Sequence, residues 1–71
     1  MKKKTLGEFL KSKRLEQGLY QKDFADLIGV SRVHYIKLEH DEFFPRLNVI
    51  RKIAFITKTP ISTICAMKGT K

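Results

Sequence analysis

Beyond Glu42 the chain contains no acidic residue. From Phe43 onward Arg46, Arg51, Lys52, Lys58, Lys68 and Lys71 stand without a carboxylate in their own segment, whereas the part before it holds nine basic and seven acidic residues. The basic excess is therefore concentrated late in the chain, where it can serve a polyanion or simply solubility. Cysteine is nearly absent too. Cys65 alone excludes an intramolecular disulfide, fits a reducing cytosol, and is expected to pack as a small apolar residue in the last helix. His34 and His40 lie six apart and far from that cysteine, so neither zinc spacing nor a nucleophile with its base can be assembled. A glycine-rich phosphate loop is also missing. No catalysis, metal or cofactor is expected. Long apolar runs are lacking as well: the start Met1-Lys2-Lys3-Lys4 imitates the head of a signal peptide, but Gly7, Glu8, Lys11, Lys13 and Arg14 follow where an unbroken hydrophobic stretch is needed. Alternating apolar and polar residues, which would announce a sheet, do not occur.

What remains is helical periodicity in a short basic chain. Its 71 residues make one expected domain, residues 1–71, with a core over about 5–67 and short basic tails. A domain of this size buries only roughly 60% of its unfolded surface, so its core is small and dimerisation would help it. The net charge of +8 and a pI near 9.9 favour a polyanionic partner. The first helix is expected from about Thr5 to Gln17, with Thr5 and Glu8 in capping-box spacing and Gly18 ending it. Phe24 and Ile28 then share one helical face, small Ala25 suits a close helix crossing, and Gly29 can take the left-handed turn that stops a second helix. Val30 fills the corner. Ser31 caps a third helix whose inward side carries Tyr35 and Leu38, leaving Arg32, Val33, Ile36 and Lys37 on or near the outer side. Pro45 suits the first turn of a fourth helix, with Leu47, Ile50, Ile53 and Ala54 as its inward stripe. Pro60 opens a fifth, with Ile61, Ile64 and Cys65 facing the core.

Two short helices joined at Gly29, the second with an exposed face of major-groove size, form the pattern of a helix-turn-helix. The ordered set Leu6-Gly7, Lys13-Arg14, Gly18-Leu19, Gln21, Gly29-Val30-Ser31, Leu38-Glu39, Pro45-Arg46-Leu47 and Ile53-Ala54 resembles the phage-repressor-like, or XRE-type, helix-turn-helix family over nearly the whole chain. The resemblance implies an all-α, five-helix lambda repressor-like domain in which helices two and three read double-stranded DNA. It also implies an interior ion pair between Arg14 and Glu39, tying helix one to the end of helix three. Removing one partner of such a pair costs roughly 3–5 kcal/mol, so loss of binding there reflects unfolding rather than a lost contact.

Arg32, at the first turn of helix three, is the leading base reader, because a guanidinium can bind the two major-groove acceptors of guanine together; the alternative is a solvated or phosphate-bound arginine. Lys37, more than a turn further on, reads a neighbouring base or a phosphate. Val33 and Ile36 either touch thymine methyls or pack at the helix edge. The resemblance makes Gln21 the expected phosphate clamp at the start of helix two; Lys22 and His34 are further phosphate candidates, with a plain surface role as the alternative, and Arg46 is the candidate beside the loop. Lys2, Lys3 and Lys4 are either a basic arm along DNA or a solvated tail.

Three departures from the family pattern stand out. Asp41 occupies a loop position usually given to glycine, and Glu42 adds a second negative charge there, which weakens the case for phosphate contact from that loop. Tyr35 is bulkier than the usual aliphatic residue and can displace the helix. Phe43, Phe44, Val49, Phe55 and Ile56 are more apolar than so small a domain can readily hide, which makes them candidates for a homodimer interface, with local packing as the alternative. The expected function is that of a cytoplasmic, nucleoid-associated regulator of bacterial or phage type that binds a palindromic operator. A DNA-binding antitoxin, a restriction-modification controller and a protein-interaction adaptor are the neighbouring readings.

Overall fold

The computed structural model describes residues 5–67. Lys2, Lys3, Lys4, Lys68 and Lys71 lie outside them. Five helices follow one another: α1 (Leu6–Glu16), α2 (Gln21–Ile28), α3 (Arg32–Glu39), α4 (Leu47–Thr57) and α5 (Ile61–Cys65), and no strand occurs among the described residues.

The local signals act as their chemistry dictates. At the start of α1 the Thr5 hydroxyl accepts from the Glu8 N–H while the Glu8 carboxylate accepts from the Thr5 N–H, so two orphan donors are satisfied reciprocally. Gly18 leaves the helix at φ 67°. Gly29 caps α2 at φ 88° and brings the chain round so that Val30 N–H donates to the Ala25 carbonyl. Ser31 caps α3 by accepting from His34 N–H at 3.1 Å. At the end of α4 Lys58 takes the left-handed position itself, at φ 54°, with no glycine there to do it.

Phe9 and Leu10 of α1, Phe24, Ala25 and Ile28 of α2, Tyr35 and Leu38 of α3, Ile50 and Ile53 of α4, and Ile64 of α5 meet in one core. Helix α3 packs on α1 and α2, and α4 packs on α2 and α5. Tyr35 is accommodated inside this core. Its ring is wholly buried, edge-on to Phe24 at 5.6 Å between centroids.

The second half departs from the expected stripe. Helix α4 begins at Leu47 with Arg46 at its cap, so Pro45 precedes the helix instead of occupying its first turn. Pro45 is buried and Phe44 packs partly against the core, while Leu47 is 53% exposed. In α5 only Ile64 is buried; Ile61 is 38% exposed and Cys65 is exposed. A five-residue helix at the rim turns little more than one side chain inward, and Met67 beyond it supplies further packing.

Candidate nucleic-acid interface

Helix α3 is amphipathic in the sense a reading helix requires. Tyr35 and Leu38 are buried on one side, while Arg32, Val33 and Lys37 are exposed on the other, Val33 at 61%. Ile36 and His34 are half-buried at the edges. Ile36 therefore still reaches the surface.

Grooves adjoin α3 at two places. Tyr20, Gln21, Lys22, Asp23 and Arg32 line one, so the N-terminal ends of α2 and α3 share a concave surface with two cations. His34, Phe43, Phe44, Arg46, Asn48 and Val49 line the other, between α3 and the start of α4. The phosphate candidates thus fall into pairs: Gln21 and Lys22 beside Arg32, and His34 beside Arg46. The His34 ring meets Phe43 edge-on at 4.8 Å, which ties the loop to α3.

Behind this surface lies a hydrogen-bonded knot centred on Glu39. Arg14 Nε donates to Glu39 Oε2 at 2.7 Å, the Tyr35 hydroxyl donates to the same oxygen at 2.6 Å, and Gln21 Nε2 donates to Oε1 at 3.3 Å. Arg14 also donates to the Leu19 carbonyl at 3.0 Å, bracing the turn that leads into α2. The side chains of Arg14 and Glu39 are 12% and 4% exposed, so the expected interior pair is present. Burial opposes charge on Glu39, but its bonds from Arg14, Tyr35 and Gln21 prevail and hold the carboxyl below its ordinary value. The hydrogen bond to Glu39 raises the Arg14 pKa, and burial followed by the same carboxylate raises that of Tyr35.

Gln21, the expected phosphate clamp, is joined to this knot. One amide N–H goes to Glu39, and a second remains for an outside acceptor. The same carboxylate thereby orients α1, α2 and α3 together.

Three features were not legible in the sequence. Asp41 adopts φ 59°, the conformation that favours glycine, and its carboxylate reaches the start of α1. Oδ2 accepts from the Thr5 hydroxyl at 2.6 Å and Oδ1 from the Gly7 N–H at 2.9 Å. The second is the role of Gly7, where any Cβ would run into the Glu39 carbonyl oxygen, so glycine is what lets α1 touch the end of α3. The third is Tyr20, 80% exposed beside Gln21 and Arg32 in the shared groove. Its N–H donates to Asp23 Oδ2 at 3.0 Å, but its own side chain provides no cap for α2. An aromatic residue just before Gln21 is the only sequence signal for it.

The five apolar dimer candidates separate into two places. Phe43, Phe44 and Val49 line the groove beside His34 and Arg46, whereas Phe55 and Ile56 line another with Leu27. No group of His, Cys, Asp and Glu able to hold a metal ion occurs among the described residues, and no helix there is long and apolar enough to cross a membrane.

Comparison with known proteins agrees with this geometry. The helix-turn-helix family model matches residues 10–64. The ImmF control region 10 kDa protein of Bacillus phage phi105 is 28% identical over 61 residues, which cover 86% of this chain and 68% of that protein. No solved structure matches the chain. With the greater part of its length matched, the chain belongs to the XRE or lambda repressor-like helix-turn-helix family, whose members are DNA-binding regulators rather than enzymes.

Proposed function

We propose that the protein is a sequence-specific regulator of transcription, a repressor or autoregulator that binds a palindromic double-stranded operator as a homodimer in the cytoplasm. The observation that carries this reading is the division of α3. Its Tyr35 and Leu38 side is locked into the core while Arg32, Val33 and Lys37 stand free on the opposite side. A helix so held can enter a major groove without losing its own packing.

In that docking Arg32 reads a guanine, Val33 touches a thymine methyl, and Lys37 reads a neighbouring base or a phosphate. Ile36 adds apolar contact at the edge. Gln21 and Lys22 take the phosphates on the α2 side, and His34 and Arg46 those on the α4 side. Phe43, Phe44 and Val49 join two copies next to the reading helices. The name of the phage relative, a control region protein, accords with a regulatory role.

The test is selection of bound duplexes from a random library, with affinity of the winner and of a scrambled control then measured across salt. The expected winner is palindromic and bound roughly 10³-fold or more above the control. Weak binding of every duplex, lost steeply with salt, would mean that the net charge alone is at work. The second reading, an antitoxin or adaptor that also holds a protein, is favoured by one observation, the exposed apolar groove beside Phe55.

A further inference from the structure

Leu27 at the end of α2 and Phe55 and Ile56 at the end of α4 line an open groove of about 420 Å³, with Arg51 and Lys52 on its walls. Leu27 is 50% exposed and Phe55 85%. The core does not need them, because α2 already buries Phe24, Ala25 and Ile28, and α4 buries Ile50 and Ile53. An aromatic ring left in water beside a leucine and an arginine has the composition of an interface anchor.

Charge decides which occupant fits. Lys52 reaches Gly29 at the C-terminal end of α2, where a cation meets the negative end of the helix dipole. Arg51 has no carboxylate partner among the described residues, and residues 43–71 contain no acid. The lining residues thus carry two positive charges and no negative one. A second copy laid on this groove by twofold symmetry would gather four cations around one desolvated apolar seam, since an isologous contact repeats the same patch. Nucleic acid has the opposite charge but offers phosphates to a wall of leucine, phenylalanine and isoleucine. An apolar segment flanked by carboxylates satisfies both the wall and the rim.

We infer that this groove docks an acidic amphipathic segment of a second protein, whose apolar side chains cover Leu27 and Phe55 and whose carboxylates pair with Arg51 and Lys52. No lining residue belongs to α3. The docked segment therefore leaves the reading helix free, and the chain can hold DNA and this partner at once. The surface is separate from the one that carries the DNA-binding proposal.

Two synthetic helical peptides test it. They share one leucine–phenylalanine face and differ in its flanks, glutamate in one and lysine in the other. Each is titrated into the isotope-labelled full chain, with and without a bound duplex, while amide shifts are monitored. The glutamate peptide is expected to bind about tenfold or more tightly than the lysine peptide, with shifts centred on Leu27, Arg51 and Phe55. Phe55→Ala weakens it by about tenfold or more, and Arg51→Glu moves the preference toward the lysine peptide. Both positions are exposed, so the thermal melts of these variants should match the parent. Equal affinity for the two peptides, or no shift with either, overturns the proposal. A self-associated form lost on Phe55→Ala assigns the groove to a second copy, and duplex affinity lost on Phe55→Ala assigns it to DNA; either result also overturns it. Arg32→Ala tests the reading helix separately, so failure of one proposal leaves the other measurable.

Discussion

Asp41 sits in a left-handed conformation that an L-residue adopts at a cost of roughly 1–2 kcal/mol, with aspartate among the residues that tolerate it best. Against that cost stand two hydrogen bonds that its carboxylate accepts from the Thr5 hydroxyl and the Gly7 N–H, and bonds to a charged group contribute roughly 1.5–3 kcal/mol each. The bonds win. Asp41→Gly is therefore expected to lower stability by about 1–3 kcal/mol although it relieves the backbone; a urea melt in which glycine proved stabilising would show that the carboxylate contributes nothing. Glu39 gives a pH test. Its folded pKa lies below the ordinary 4.5, so its contribution is fully present above that value and is lost as pH falls through the lower folded value. Glu39→Gln should cost up to about 3–5 kcal/mol at neutral pH by leaving the largely covered Arg14 guanidinium without its carboxylate, and its stability should fall less steeply than the parent's below pH 4.5. Thermal melts across the acid range check both expectations. An unchanged acid limb would remove Glu39 from the account.

Helix α3 is a short element whose inward side is fixed by Tyr35 and Leu38 and whose start is fixed by Ser31. In the proposed docking its register on DNA comes from those three residues. Arg32→Ala is expected to cost about 1–3 kcal/mol of binding and to relax preference at one position of the site. Gln21→Ala should instead weaken all duplexes alike. Because Gln21 also donates to Glu39, that variant should melt lower by about 1 kcal/mol as well. Affinities are therefore to be compared well below both melting transitions. If Arg32→Ala left both the affinity and the selected motif unchanged, α3 would not be docked as proposed. The end of α4 is built differently: Lys58 accepts the left-handed turn without glycine, and Thr59 N–H still reaches the Ala54 carbonyl.

The described residues extend over 29 × 22 × 21 Å. The dimer proposal requires two copies to set their α3 helices one DNA turn, about 34 Å, apart. Sedimentation of the parent is expected to show a dimer on a palindromic duplex, and a Phe43→Ser, Val49→Ser variant a shift toward monomer. Monomer alone at micromolar concentration, with and without that duplex, would end the dimer proposal. The uneven charge belongs to this scale too. Residues 43–71 carry six bases and no acid, so the C-terminal part of the chain contributes much of the positive field in which DNA or an acidic partner is met.

The helices and their order are already contained in the amino-acid sequence, because caps, glycines and apolar periodicity are local. Thr5 with Glu8, Gly29 and Ser31 act within a turn or two of where they stand, and the outer side of α3 is set by Tyr35 and Leu38. The Arg14 and Glu39 pair is legible only through the family resemblance, since 25 residues separate them. The inward stripes expected of the fourth and fifth helices are broader than those observed. Periodicity says which residues share a side, but it does not say that Pro45 and Phe44 pack inward while Leu47 stays exposed, nor that α5 leaves Cys65 outside. Only the packed molecule makes Asp41 a cap for α1, sets Gly7 against Glu39, has Gln21 share its amide with that carboxylate, and brings Leu27 to Phe55 in an open groove. Each of these depends on where one helix lies against another, and that placement comes from packing the whole core rather than from any single stretch of chain.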